Sequence, residues 1–175
     1  MKVLGIDPGS HRTGWGVVSL AGSRLVHEGS GVILARGEDV AGRLLCIAEE
    51  LEGILQLFQP DAVSVETVFH AKNSQSALIL GQARGVAIVS AARAGAKLFE
   101  YTAGQIKQAT VGRGRADKMQ VQEMVRLILG IEAHLELDTS DALAVAICHA
   151  QMYATPSAVF LRRAERAARH PNAGV

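Results

Sequence analysis

The sequence predicts a mixed α/β domain, a five-stranded sheet flanked by helices. Three short apolar runs open the chain, and stretches of helical period then alternate with two more brief apolar runs. At 175 residues the length suits one compact domain able to bury about 70% of its unfolded surface, and leaves little for two lobes around a cleft.

The first run, Val3 to Ile6, stops at Asp7-Pro8-Gly9-Ser10, and Trp15 to Leu20 and Leu25 to Leu34 follow as strands in meander order, split by Gly22 and Ser23. From Glu38 to Phe58, apolar residues at Val40, Leu44, Ile47, Leu51, Leu55 and Phe58 mark one helical face, which Pro60 closes. Ala62 to Glu66 reads as a brief strand with an acid at its end. Asn73 or Ser74 can cap a long helix to about Arg93, in which Gly81 and Gly85 lie one turn apart among alanines, a smooth face suited to helix packing or a dimer. Lys97 to Tyr101 is the fifth strand, and Thr102 with Gln105 forms a capping-box pattern for a short helix. After the basic loop Gly112-Arg113-Gly114-Arg115, Asp117 with Gln120 opens a helix that ends at Gly130. The last helix runs from about Thr139 to Tyr153. Arg162, Arg163, Arg166 and Arg169 then follow with little to bury, so a domain of 1–153 and a frayed or disordered basic tail, 154–175, are expected. In this order the fourth and fifth strands cross over to run parallel to the first, which is the ribonuclease H-like plan.

Composition narrows the function. Hydrophobic residues at 49% and charged residues at 20% are those of a globular protein, and aromatics at 4% require an aliphatic core. The net charge is +1, so any polyanion site must be local. Cys46 and Cys148 sit in apolar helical patterns without a partner at metal-ligand spacing, as buried reduced thiols would. The start of the chain lacks a signal peptide's apolar stretch, and no run reaches the roughly 18 residues of a membrane span, so a soluble cytoplasmic protein is expected.

If the first and fourth strands are parallel neighbours, Asp7 and Glu66 emerge together at the carboxyl edge, where open α/β sheets place their sites. Ile131 to Asp141 adds Glu132, Glu136, Asp138 and Asp141 with no Lys or Arg, and Asp138 and Asp141, three apart at a helix start, face the same way. Carboxylates converging from three segments resist joint ionisation unless cations neutralise them, and oxygen-only ligands select Mg²⁺ or Mn²⁺. Plainer roles stay open: Asp7 as a turn residue, Glu66 as a solvated strand end, Asp138 and Asp141 as a helix cap and a first-turn acid.

Between Gly104 and Arg126, Lys107, Arg113, Arg115, Lys118 and Arg126 outnumber Asp117 and Glu123 by three just before the acidic block. A phosphodiester could bridge the two regions, or the basic run could be a solvated face. Phe69 follows Glu66 by three residues, with Lys72 nearby; exposed, it could stack on an unpaired base, and otherwise it packs on the core. His70 reads as a surface loop histidine.

Gly5-Ile6-Asp7-Pro8-Gly9-Ser10 with Thr13-Gly14, Val65-Glu66 with Val68-Phe69 and Ala71-Lys72-Asn73, Ser76-Ala77-Leu78 with Leu80-Gly81-Gln82-Ala83-Arg84-Gly85, and Asp138 with Asp141-Ala142-Leu143-Ala144 resemble the bacterial RuvC Holliday junction resolvases, in order and with conforming spacing from Met1 to Tyr153. The resemblance implies a homodimer that nicks two like-polarity strands of four-way junction DNA with divalent metal, in company with a branch-migration motor. It makes Asp7, Glu66, Asp138 and Asp141 the catalytic metal ligands, although some members carry His at the place of Asp138. It brings Lys107 and Lys118 to the DNA and Phe69 to bases at the crossover, whereas the cleavage preference is left open by Thr67 and His70.

The chemistry expected is in-line hydrolysis at two metals, Mg²⁺ or Mn²⁺, with Asp7 between them, leaving a 5′-phosphate and a 3′-hydroxyl. Two rivals remain. The strand followed by Asp7-Pro8-Gly9 and Thr13 also resembles the phosphate loop of sugar kinases and actin-like ATPases, which need a second lobe. Alternatively, the acids are structural and the protein binds DNA without cutting it.

Overall fold

The computed structural model describes residues 1–67 and 74–154. Its elements are β1 (Lys2–Asp7), β2 (Arg12–Ala21), β3 (Arg24–Leu34), α1 (Val40–Phe58), β4 (Ala62–Glu66), α2 (Ser74–Arg93), β5 (Lys97–Tyr101), α3 (Ala103–Val111), α4 (Lys118–Leu129) and α5 (Leu137–Ala154). The sheet order is β3-β2-β1-β4-β5. β1 to β3 form an antiparallel meander, and β4 and β5 run parallel to β1, the ribonuclease H-like plan. Local signals set the boundaries. Thr102 with Gln105 and Asp117 with Gln120 both close reciprocal capping boxes, and Gly112 and Gly130 end α3 and α4 in the left-handed region at φ 76° and 66°.

Period two along β1 divides the core between the two faces of the sheet. Leu4 and Ile6 point to one side with Val17, Val63 and Val65, against Ile47 and Leu51 of α1 and Ala83, Ala87 and Ala91 of α2. Val3 points to the other with Val18 and Tyr101, against Ile106 of α3, Val121 and Val125 of α4, and Leu143 and Ile147 of α5. On this second side α5 lies directly on the strands. A Cβ built at Gly5 would stand 2.0 Å from the Ala142 carbonyl oxygen, and one at Gly16 2.5 Å from the Leu143 side chain. Ser64 of β4 supports the same helix, its hydroxyl donating to the Val145 carbonyl at 3.3 Å.

Three expectations need adjusting. The last helix opens at Leu137, not near Thr139, so Asp138 lies inside its first turn instead of capping it. Cys148 is buried but Cys46, on α1, is only partly so, its Sγ 3.9 Å from the Leu34 carbonyl at the end of β3. Gly81 and Gly85 serve no packing within the described chain, since a Cβ at either would meet nothing within 4 Å.

Gly5→Ala would force α5 off β1 against unyielding backbone, and it is expected to cost about 3 kcal/mol, the upper end for overpacking. Gly53→Ala on the open face of α1, where the added carbon meets nothing within 4 Å, is expected to stabilise by about 0.5–1 kcal/mol through helix propensity. Urea unfolding of both variants checks the contrast.

Candidate active site

Asp7 ends β1 and Glu66 ends the parallel neighbour β4, and the Ile6–Val65 pairing sets the two acids side by side at the carboxyl edge. By alternation both face α5, as Gly5 and Ser64 do. The turn after Asp7 is closed by Thr13, which is buried, donates its hydroxyl to the Gly9 carbonyl at 2.9 Å and accepts from the Gly9 amide at 3.3 Å. Among the described residues Asp7 thus does not serve as the turn's clasp, and its carboxylate remains for the site.

α5 delivers the other two acids. Gly14 of β2 pairs with Asp7, and a Cβ there would lie 2.0 Å from the Asp138 carbonyl oxygen. The first turn of α5 therefore rests on the strand beside Asp7, and Asp141 follows one turn later.

The consequence is strong coupling. Burial pushes the Asp7 carboxyl up to about 7, the Asp141 and Glu66 charges add to the rise, Lys118 opposes it, and Asp138 contributes least. Glu66 is also raised, by burial and then by Asp141, against the pull of Lys118 and Lys107. Lys118, the first residue of α4, donates from Nζ to Asp141 Oδ2 at 2.9 Å. That bond, with Asp7 and Glu66 nearby, holds its ammonium above the usual lysine range.

Arg12, which sequence reasoning missed, completes the cluster. Its Nε donates to Asp138 Oδ2 at 2.6 Å and its Nη2 bonds Glu136 Oε2. A signal existed: Arg12 stands two residues before Gly14 and so on the α5 face, but the partner across 126 residues needed the tertiary register.

The other predicted residues divide into two groups. Lys107 on α3 is half-buried and acts electrostatically on Glu66, while Arg113 and Arg115 are exposed on the turn between α3 and α4. Phe69 and Lys72 lie outside the described residues.

The donors suit a hard divalent ion, since they are carboxylate oxygens crowded round a buried acid that repels them. As they lie, however, no three His, Cys, Asp or Glu among the described residues are gathered closely enough to hold one ion. Lys118 and Arg12 meanwhile neutralise Asp141 and Asp138.

The Asp7 environment sets a pH dependence. In the metal-free folded state Asp7 keeps its proton to about pH 7, against an ordinary value of 3.8. Between those values the folded state binds more protons than the unfolded one, so stability falls as pH rises and the full penalty is present above about 7. Asp7→Asn should therefore raise metal-free stability at pH 8 by a few kcal/mol at most, on the order of 1.4 kcal/mol for each tenfold change in proton affinity. The gain should vanish near pH 4. Melts across that range check it, and an equal gain at both ends would exclude ionisation as the cause.

Known proteins match the chain over nearly its whole length. The family model of crossover junction endodeoxyribonuclease RuvC matches residues 3–149. The RuvC of Geotalea uraniireducens is 52% identical over 151 residues, 86% of this chain and 88% of that one. The RuvC of Trichlorobacter lovleyi is 50% identical over 170 residues, covering 94% and 96%. Among solved structures, T. thermophilus RuvC in complex with Holliday junction substrate superposes with a TM-score of 0.83 at 35% identity, over 90% of this chain and 97% of that one. The yeast mitochondrial Holliday junction resolvase Ydc2, at 12% identity and a TM-score of 0.59 over 92% and 85% of the two chains, shares the fold. With matching sequence across the domain and a matching sheet and helix arrangement, the chain belongs to the RuvC family, the metal-dependent crossover junction endodeoxyribonucleases.

Proposed function

We propose that this chain resolves Holliday junctions by metal-dependent nicking of two like-polarity strands, with Asp7, Glu66, Asp138 and Asp141 as its catalytic residues. The observation that carries the assignment of the site is the coupling at Asp7. Burial, and then the acids of β4 and α5, raise its carboxyl to about 7, a cost that a bound cation would reverse. The relative whose structure contains a Holliday junction substrate supports the choice of DNA.

Two Mg²⁺ ions per site, with Mn²⁺ able to substitute, fit the all-oxygen donor set. Asp7, central between Glu66 on one side and the α5 acids on the other, would be the residue shared between the two ions. When bound, such ions supply Lewis-acid polarisation of the scissile phosphate, activation of the attacking water and stabilisation of the leaving 3′ oxygen, so that a 5′-phosphate and a 3′-hydroxyl result. The chain's own residues position the substrate. Lys118, whose side chain is 69% exposed beside Asp141, can leave that carboxylate to bind the phosphate under attack. Lys107, which acts on Glu66, and Arg113 and Arg115, on the exposed turn that leads into Lys118, would follow the phosphates of a duplex arm. Phe69 and Lys72 would engage bases and backbone at the crossover.

A homodimer matches the two-fold junction, and α2 offers the surface. Leu78 and Val89, 67% and 56% exposed, flank the open Gly81 and Gly85 at spacings of three and four along one helix face. Residues 1–153 would form the nuclease domain, consistent with a family match that ends at 149, and 154–175 a basic tail. No helix among the described residues is long and apolar enough to cross a membrane, and the expected setting is the cytoplasm beside a branch-migration motor.

Nicking of a synthetic four-way junction with Mg²⁺ is the direct test. Asp141→Asn, and less severely Asp138→Asn, should fold, bind the junction and fail to cut it; wild-type cutting by both would remove the four-carboxylate site. Binding without nicking by the unaltered chain would favour the non-catalytic reading. On duplex arms each phosphate contact contributes about −0.9 to the log–log salt slope. Lys107→Ala and Arg115→Ala should each flatten it by roughly that amount, measured by fluorescence anisotropy across salt concentrations. Light scattering should show a dimer for the unaltered chain and a monomer for Gly85→Leu.

A further inference from the structure

We propose that Arg12 is a positioning residue for this site, the resident counter-ion of Asp138 and Glu136, and that a divalent cation gains Asp138 only as Arg12 releases it. The inference rests on the four-carboxylate reading of the site.

Arg12 begins β2 on the strand face that carries Gly14, and the first turn of α5 is pressed onto Gly14. The guanidinium therefore meets the start of α5, where it reaches both Glu136, just before the helix, and Asp138 in its first turn. It uses different nitrogens for the two acids, Nε at 2.6 Å from Asp138 Oδ2 and Nη2 on Glu136 Oε2, and so spans both carboxylates instead of forking onto one.

Three features favour competition with a metal over simple support of the helix. Asp138 already has one oxygen committed to a donor that carries a full positive charge. An arginine cannot shed that charge by losing its proton, so a cation approaching Asp138 meets it at every working pH. Finally, the acids are not gathered round a common centre among the described residues, as expected if Arg12 draws Asp138 aside. The exchange is open to solvent, since the side chains of Arg12, Glu136 and Asp138 are 45%, 62% and 33% exposed.

Calorimetric titration of Mn²⁺ into the metal-free full chain, without DNA, tests the clamp. Arg12→Gln should bind Mn²⁺ about tenfold more tightly than wild type, the low end of what one adjacent cation does to a carboxylate's affinity for a positive charge. Arg12→Lys, which keeps the charge but cannot span both acids, should fall between them. The gain should disappear when Asp138→Asn is combined with Arg12→Gln, a coupling that a merely structural role would not produce. Unchanged or weaker Mn²⁺ binding by Arg12→Gln overturns the proposal, weaker binding meaning that Arg12 prepares Asp138 for the ion. Asp7→Asn separates the two failures. If it binds Mn²⁺ as wild type does, the underlying metal-site reading falls and the clamp with it. If it abolishes binding while Arg12→Gln is unchanged, the clamp alone falls.

Discussion

The contact on which the site depends is the seating of α5 on the bare backbone of β1 and β2. Gly5, Gly14 and Gly16 present no side chain to the helix, and a single methyl at Gly5 or Gly14 would come within 2.0 Å of its carbonyl oxygens. The helix can therefore approach the sheet far more closely than over Val or Leu. That approach sets Asp138 and Asp141 beside Asp7 and not a side chain's length above it. Apolar packing elsewhere secures the arrangement, with Ile147 and its neighbours on α5 buried in the core they share with Ile106 of α3 and Val121 and Val125 of α4. The small residues on β1 and β2 belong to the chemistry as much as the acids do, because they decide where the acids stand.

Close approach then creates an electrostatic problem, and the protein meets it with its own cations. Five carboxylates, Asp7, Glu66, Glu136, Asp138 and Asp141, share one edge with Arg12 and Lys118. The cations do not go to the most buried acid. They bind the two acids of α5, Asp138 and Asp141, and leave Asp7 and Glu66 without an ion pair among the described residues. Asp7 carries the cost as a raised carboxyl. The metal-free state is thus poised, neutralised at its rim and strained at its centre, and it favours a multivalent cation at the centre.

Much of this fold was legible in the chain because its signals are local. Thr102 with Gln105, Asp117 with Gln120, Gly112 and Gly130 set helix ends through bonds within a few residues, and the apolar spacing from Val40 to Phe58 reports α1 directly. Asp7 and Glu66 were also legible, since parallel strands that end on acids bring those acids to one edge once the strand order is right. Asp138 was harder. Near a helix start an acid satisfies a dipole as readily as it holds a metal, and only the contact with Gly14 shows which strand that helix start meets.

By itself the sequence determined the element order, the caps, the acids and their family pattern, each of which follows from neighbouring residues or from residue type. The tertiary structure decided what no local rule can state. Which face of β2 meets α5, and hence that Arg12 reaches across 126 residues to Asp138, depends on strand register. That Asp7 keeps its proton to about pH 7 depends on burial and on charges from three segments at once. Gly81 and Gly85 are alike in this respect. Their spacing was visible in the chain, but that no neighbouring helix among the described residues covers them follows only from where α2 lies on the sheet. Hydrogen-bonded caps act over a few residues and are written in order along the chain, whereas burial and Coulomb forces act through space and depend on the whole fold.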